Sequence, residues 1–239
     1  MTLTGKTALV TGGSRGIGRA IVEHLAAAGA RVVFTYRQDD AAAEKVLNDL
    51  PGTTAVRADQ QELTGLAAMF EPVRDGLDIL VNNAGVATAA PISELTPEDF
   101  DRVFTINTKF PLFAIKEATP LLRDGGRVVN ISTLNTVSQA ARLALYCASK
   151  AALEQITAVA ARELGPRGIT VNTVSPGATD TDLLRSVNPP EALETAANLT
   201  ALGRLGRPAD VAAVVAFLCS PQGGWVTGQN IRATGGLAI

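Results

Sequence analysis

The sequence has few of the residue types that indicate a secreted, metal-binding or nucleic-acid-binding protein. Two cysteines occur in 239 residues, too few for a disulfide framework or a cysteine metal cluster. The one histidine, His24, lies among apolar residues of a predicted helix, so we expect no histidine catalysis and no metal site. The net charge of −2 offers no bulk attraction for nucleic acid.

Charged and aromatic residues are also scarce, at 18% and 4%, whereas hydrophobic residues make up 46%. This balance excludes a disordered chain, because enough apolar surface is present to build a core. The longest late apolar run, 211–219, is about half of a membrane span, and the first residues show no signal-peptide pattern. We therefore expect a soluble, cytoplasmic protein that binds no membrane.

Short β-rich runs alternate with longer helical patterns along the whole chain. Several runs, such as residues 8–10, are apolar without alternation, as strands are when helices cover both faces. The pattern predicts one α/β domain, 1–239, with a Rossmann-like, doubly wound parallel sheet of about seven strands. Strands are predicted at 7–11, 31–36, 53–58, 77–82, 127–131, 170–175 and 230–233, and helices at 16–28, 41–50, 63–70, 97–122, 143–164 and 208–218. The irregular segment at about 178–206 is predicted to be a substrate lid.

A glycine-rich turn, residues 11–18, directly follows the first predicted strand and opens the first helix. Glycines at such a junction let the backbone approach a pyrophosphate, which then meets the free N–H groups of the helix. A plain tight connection and a mononucleotide P-loop are the alternatives. Arg19 and Ala20 stand where a P-loop needs Lys and Ser or Thr, so the turn predicts a dinucleotide site.

The end of the second predicted strand indicates which dinucleotide is used. NAD sites place a carboxylate about 20 residues past the glycines, where it binds the ribose hydroxyls. Here Arg37 occupies that region, and Arg15 in the glycine turn offers a second cation. Both favour the 2′-phosphate of NADP; the alternative is that Arg37 is an ordinary solvated loop charge.

Tyr146 and Lys150 are four residues apart in a predicted helix, which places them on one helix face. An ammonium beside a phenol lowers the tyrosine pKa from about 10 toward the range of an acid–base catalyst. Two hydroxyl residues, Ser132 and Thr133, follow the fifth predicted strand. Together these residues favour acid–base chemistry over the alternative of a surface pair.

With these motifs in this order, the chain resembles the short-chain dehydrogenase/reductase superfamily over essentially its full length. Within it, the chain is similar to 3-oxoacyl-acyl-carrier-protein reductases and related ketoreductases. The resemblance implies an NADP(H)-dependent enzyme that reduces the carbonyl of a small molecule and assembles as a homotetramer or homodimer. An NAD-dependent alcohol or sugar dehydrogenase and a dinucleotide sensor without chemistry are the alternatives.

The resemblance also implies roles for individual residues. Tyr146 would protonate the carbonyl oxygen, Lys150 would hold the nicotinamide ribose and lower the tyrosine pKa, and Asn107 would hold a water that relays protons. The family's serine commonly lies 13 residues before the tyrosine, which is Thr133 here, whereas Ser132 lies 14 before. Because strand residues alternate between faces, both hydroxyls stay candidates. The cofactor would contact Gly12, Ser14, Arg15, Gly16, Ile17, Gly18, Arg37, Asp59, Gln60, Asn83, Ala84, Gly85, Tyr146, Lys150, Pro176, Gly177 and Thr179.

Two predicted helices, 97–122 and 143–164, are apolar on more than one face. A single core-facing stripe needs fewer apolar residues, so these helices also favour contact with a partner subunit. The apolar C-terminus, 235–239, favours docking as well. We expect a homotetramer, and the alternative is a monomer whose long helices are deeply buried.

Overall fold

A seven-stranded parallel sheet runs through the computed structural model, which describes residues 2–237. Its strands are β1 (Thr7–Val10), β2 (Arg31–Tyr36), β3 (Thr54–Arg57), β4 (Leu77–Asn82), β5 (Leu122–Ile131), β6 (Thr170–Pro176) and β7 (Asn230–Ala233). The helices are α1 (Gly16–Ala27), α2 (Asp40–Asp49), α3 (Gly65–Phe70), α4 (Pro97–Phe104), α5 (Phe110–Ala118), α6 (Ala144–Leu164), α7 (Asp182–Val187), α8 (Pro190–Asn198) and α9 (Pro208–Cys219). The predicted fold class is confirmed.

The strands are ordered β3-β2-β1-β4-β5-β6-β7, so the sheet winds outward in both directions from β1. β1 pairs in parallel with β2 on one side and with β4 on the other. The connections that leave β1 and β4 therefore diverge and open a crevice at the carboxyl ends of these strands. The glycine turn after β1 and residues 83–85 after β4 lie at this crevice.

Helices cover both faces of the sheet, which explains why β1 is apolar without alternation. Ala8 and Val10 join a core cluster that includes residues of α1 and α9. Leu9 joins the cluster on the opposite face, which includes residues of α3, α5 and α6. Each residue of β1 is therefore buried whichever way it points.

The prediction of one helix over 97–122 is wrong. The chain forms α4, a π-helical turn at Thr105–Lys109, and α5, which ends at Ala118. Pro111 has no N–H and cannot donate the α-helical hydrogen bond to the carbonyl of Asn107, so the regular ladder is interrupted. Leu122, predicted as the helix end, begins β5 and pairs with Leu77.

The segment 178–206 is more regular than predicted, because it contains the two short helices α7 and α8. Its two ends are joined by backbone hydrogen bonds, from Asp180 N to Gly206 O at 2.8 Å and from Gly206 N to Ala178 O at 2.9 Å. Its start lies beside the glycine turn, since a Cβ built on Gly16 would be 3.5 Å from the methyl group of Thr181.

No helix within residues 2–237 is long and apolar enough to cross a membrane. Cys147 and Cys219 are both free cysteines. The last two residues of the apolar C-terminus lie outside the described residues, so the predicted docking of that tail stays a prediction.

Candidate active site

The glycine turn is held in place by side chains from two neighbouring strands. Thr35 on β2 accepts a hydrogen bond from the Gly12 N–H at 3.2 Å. The Thr11 hydroxyl accepts hydrogen bonds from the N–H groups of Asn83 and Ala84, at 2.9 and 3.1 Å. The Asn83 amide in turn donates to the carbonyls of Thr11 and Gly12, at 2.9 and 3.2 Å. These bonds join the turn after β1 to the loop after β4 across the crevice.

Two of the glycines are required by this geometry. Gly12 has a φ of +67°, a left-handed conformation that residues with a side chain rarely adopt. A Cβ on Gly18 would lie 2.1 Å from the carbonyl oxygen of Gly12 and 2.5 Å from the Asn83 amide nitrogen. The turn therefore passes against the start of α1 and leaves its N–H groups facing the crevice, as a bound pyrophosphate requires.

A cavity of about 360 Å³ at the edge of this crevice contains both predicted phosphate-binding cations. It is lined by Ser14, Arg15, Arg37, Gln38 and Asp39. The Arg57 guanidinium donates to the Arg37 carbonyl at 3.1 Å and so restrains the backbone there. The one carboxylate of the cavity, Asp39, caps α2 by accepting from the Ala42 N–H at 2.9 Å. The lining residues thus combine two guanidinium groups with a carboxylate already engaged in a helix cap.

At the end of β3, Asp59 is exposed and accepts from the Gln61 N–H at 3.0 Å. Its neighbour Gln60 is only 6% exposed, and neither polar atom of its side-chain amide has a hydrogen-bond partner among the described residues. Leaving such a buried group unpaired costs about 1–3 kcal/mol, so it indicates a missing ligand group with a donor and an acceptor. The edge of an adenine base offers both. The residues present therefore fit a dinucleotide.

The two candidate hydroxyls after β5 meet different partners. Burial raises the pKa of Tyr146 above its ordinary value, and a hydrogen bond with the Thr133 side chain acts in the opposite direction. The Ser132 hydroxyl instead donates to the Glu154 carboxylate at 2.6 Å. Thr133 therefore lies near the Tyr146 phenol, and it also accepts a hydrogen bond from the Asn135 N–H at 3.2 Å. The Ser132 hydroxyl is instead bonded to Glu154, which lies one helical turn beyond Lys150.

The Lys150 side chain is 3% exposed, and its ammonium donates to the Ile131 carbonyl at 2.7 Å. Burial lowers the pKa of Lys150 to about 8, although the charge of Glu154 raises it. The sequence predicted that Lys150 would lower the pKa of Tyr146, but the structure shows that pKa raised. The reason is that burial, the largest influence on this pKa, disfavours the charged phenolate.

Asn107 lies beside Lys150 but uses its side chain to hold the backbone. Its amide accepts from the Val86 N–H at 2.9 Å and donates to the Val86 carbonyl at 2.8 Å and to the Ser149 hydroxyl at 3.0 Å. A Cβ on Gly85 would lie 3.2 Å from both the Asn107 amide oxygen and the Lys150 ammonium nitrogen. The loop after β4, the π-helical turn and α6 therefore converge at one point.

The predicted residues after β6 lie where the segment 178–206 begins. Gly177 donates its N–H to the Ala233 carbonyl at 3.1 Å, which joins this strand end to β7. The Thr179 hydroxyl is buried and donates to the Gly177 carbonyl at 3.0 Å. Pro176, the last residue of β6, is buried as well.

The structure thus brings the predicted residues into two groups around one crevice, the glycine turn with its cations and the cluster about Tyr146. Ile17 is half-buried and packs against the core beside α1. Sequence reasoning missed Glu154 and the anchoring hydroxyl of Thr35. Glu154 lies four residues after Lys150, and this helical spacing was the signal that would have identified it.

Comparisons with known proteins give a consistent result. A family model described as enoyl-(acyl carrier protein) reductase matches residues 12–238. The short chain dehydrogenase/reductase AacuN of Aspergillus aculeatus is 38% identical over 256 residues, which cover 99% of this chain and 97% of that protein. The angucycline C-6 ketoreductase LanV, solved with bound NADP, has a TM-score of 0.93 and 42% identity, covering 99% of this chain and 96% of its own. The promiscuous reductase LugOII, which catalyses keto-reduction at C1 during lugdunomycin biosynthesis, has a TM-score of 0.94 and 38% identity over 100% of both chains.

Proposed function

Because the chain belongs to the short-chain dehydrogenase/reductase family, we propose that it is an NADPH-dependent ketoreductase acting on an apolar ketone. The observation that carries this proposal is the cluster of Tyr146, Thr133 and Lys150 at the crevice that the glycine turn borders. A protonated phenol near a second hydroxyl and a buried ammonium, which can stabilise the phenolate that forms, is suited to give a proton to a carbonyl oxygen.

The residues proposed to hold the cofactor each have a physical reason. The glycine turn and the start of α1 would bind the pyrophosphate, Gln60 and Asp59 would meet the adenine, and Lys150 would meet the nicotinamide ribose. Arg15 and Arg37 would bind the 2′-phosphate, because both line the same cavity and a guanidinium pairs with phosphate oxygens in a bidentate way. The same arginines argue against an NAD-dependent dehydrogenase.

When bound, NADPH supplies the hydride for the carbonyl carbon, and the chain supplies the proton. Tyr146 would donate its phenolic proton to the carbonyl oxygen. Lys150, whose pKa is about 8, would be mainly protonated at neutral pH and would stabilise the phenolate left behind. Pro111 has no N–H and cannot donate to the main-chain carbonyl of Asn107. We propose that this carbonyl binds a water that relays protons.

Of the two candidate hydroxyls, we assign the binding of the substrate oxygen to Thr133. Its side chain lies near the Tyr146 phenol, so a carbonyl oxygen between the two hydroxyls would receive a hydrogen bond from each. Ser132 is already bonded to a carboxylate at 2.6 Å. Thr133→Ala should therefore lower kcat about 100-fold or more, whereas Thr133→Ser should keep most of the activity.

The segment 178–206 is proposed to be the substrate lid. It exposes three leucines, Leu183, Leu199 and Leu202, at 53%, 66% and 67%. Such exposed apolar residues next to a catalytic crevice would cover an apolar substrate. A polyketide-like ring ketone or a 3-oxoacyl chain both fit this chemistry.

The decisive experiment is an assay of NADPH consumption with purified protein across aromatic ring ketones, quinones and 3-oxoacyl thioesters, run beside NADH. Tyr146→Phe keeps the ring but removes the proton donor, so kcat should fall 10²- to 10⁴-fold while NADPH still binds. Tyr36→Phe, at the other tyrosine of the chain, is the matched control and should leave the rate unchanged. Retention of most activity by Tyr146→Phe would remove this residue from its role.

We also propose that the protein is a cytoplasmic homotetramer. Leu112 on α5 and Val159 on α6 are 43% and 56% exposed and lie on neighbouring helices. Phe217 on α9, on the other side of the sheet from α5 and α6, is 40% exposed, and Trp225 beyond this helix is 99% exposed. Two separate apolar faces would give two kinds of two-fold contact, as a tetramer with dihedral symmetry needs.

A further inference from the structure

Glu154 is a half-buried carboxylate on α6 that the proposed mechanism does not use. It lies one helical turn beyond Lys150 and two turns beyond Tyr146, on the same face of the helix. Its carboxylate accepts the Ser132 hydroxyl at 2.6 Å, and the Ser175 hydroxyl oxygen lies 3.5 Å away. Ser175 donates its hydroxyl proton to Asn230 at 2.7 Å, so the carboxyl ends of β5 and β6 and the first residue of β7 lie around this carboxylate.

The contacts of Glu154 and Lys150 are joined through the backbone. Ile131 accepts the Lys150 ammonium at 2.7 Å, and the next residue, Ser132, donates to Glu154. A carboxylate and an ammonium one helical turn apart therefore hold two consecutive residues at the end of β5. The following residue along the chain is Thr133, which lies near enough to the Tyr146 phenol to influence its pKa.

We propose that Glu154 is a positioning residue of this site, which holds the end of β5 through Ser132 and keeps the buried Lys150 charged. The inference rests on the proposed function, because it gives Glu154 a part in the same proton-transfer site. A buried ammonium is stable only when a nearby charge or hydrogen bond compensates for its lost hydration. The Ile131 carbonyl supplies a hydrogen bond, and Glu154 supplies the charge.

The surroundings of Lys150 support this division of roles. Burial lowers the pKa of Lys150, and Glu154 is the charged group that raises it. The neutral side chain of Asn107 in the π-helical turn lies near the ammonium, with Gly85 of the β4 loop beside both, whereas the Ser132 hydroxyl lies 3.5 Å from the main-chain carbonyl of Lys150. On α6 itself, the remaining titratable groups near Lys150 are Tyr146 and Cys147, whose pKa values are both raised, so both are neutral at pH 7.

The test compares Glu154→Gln with wild type in two measurements. The first is the pH profile of ketone reduction, in which the alkaline limb should move about one pH unit lower, because Lys150 loses its proton more easily. The second is a titration of isotope-labelled lysine by NMR in the protein without cofactor, which should show the same shift for Lys150. Glu163→Gln removes an equal charge from the exposed face of α6 and should move neither value.

The outcomes separate this proposal from the proposed function. If Glu154→Gln leaves both profiles in place, or lowers the rate equally at every pH, the positioning role is overturned. If the NMR shift is found but no ketone is reduced by wild type, the proposed function fails and the coupling of Glu154 to Lys150 stands. If Glu154→Gln does not fold, Glu154→Asp is measured in its place. Because Glu154→Asp keeps the negative charge, a shift of the alkaline limb of the pH profile by a full pH unit in this variant would overturn the proposal.

Discussion

Replacing Arg37 by Asp tests the cofactor assignment most directly. A guanidinium about 4 Å from a phosphate gains about 1 kcal/mol per unit charge in water, and a 2′-phosphate carries about two charges. Arg37 is exposed, so the value for water applies and not the larger value for a protein interior. Losing Arg37 should therefore cost about 2 kcal/mol, or about 30-fold in NADPH affinity.

The aspartate adds repulsion of similar size, so Arg37→Asp should weaken NADPH binding about 10³-fold in total. NADH has no 2′-phosphate, and its binding should be unchanged or tighter because a carboxylate can accept the ribose hydroxyls. Fluorescence titration with both cofactors at low and high salt measures these effects. The preference of wild type for NADPH should narrow as salt rises, since exposed charges are screened.

Lys45→Asp is the matched control, because it makes the same change of charge on the exposed face of α2, outside the residues that line the cavity. It should alter the affinity ratio of the two cofactors by less than about threefold. The reasoning is refuted if Arg37→Asp leaves that ratio within about threefold of wild type. It is also refuted if Lys45→Asp changes the ratio as much as Arg37→Asp does.

Three further predictions concern stability and assembly. Arg142 has a φ of 71°, so Arg142→Gly should raise the free energy of unfolding by about 1 kcal/mol in urea denaturation; an unchanged or lower value would contradict this. Asp78 accepts hydrogen bonds from the Thr7 N–H, Lys6 and Arg123, so Asp78→Asn should cost about 2 kcal/mol at neutral pH. Burial raises the pKa of Asp78, but these donors outweigh burial and lower the pKa below its ordinary value of 3.8. The stabilisation by Asp78 is therefore complete above the pKa of the unfolded state and is lost as the pH falls through the pKa of the folded state. The difference between variant and wild type should shrink in acid, and a constant difference would argue against the ion-pair account. Leu112→Asp should reduce both assembly and activity, measured by light scattering and by NADPH turnover. A variant with the same mass in solution and the same turnover rate as wild type would contradict this prediction.

The order of elements and the fold class could be predicted because each depends on short stretches of sequence. A strand covered on both faces must be apolar at every position, and residues 8–10 meet this requirement in their amino-acid types alone. The glycine turn and the helical spacing of Tyr146 and Lys150 are equally local. The resemblance drawn from these motifs is confirmed by the family comparisons.

Where the prediction failed, local pattern and tertiary context disagreed. The run 97–122 has helical periodicity throughout, yet its C-terminal end is drawn into the sheet, where Leu122 pairs with Leu77. The hydrophobic periodicity also does not show the helical hydrogen bond that is lost at Pro111, near Asn107. Likewise, spacing placed Lys150 beside Tyr146, but it could not show that the ammonium bonds to Ile131.

The sequence by itself therefore determined the fold class and the position of the glycine turn, and it supplied the side chains to which we assign the chemistry, because propensity and spacing act within a few residues. Only the tertiary structure decided that Thr133 lies near the Tyr146 phenol while Ser132 donates to Glu154. It also decided that Arg15 and Arg37, 22 positions apart, line one cavity. These facts depend on how β1, β2, β5 and α6 pack together, and burial, which sets the pKa values of Tyr146 and Lys150, exists only in the packed protein.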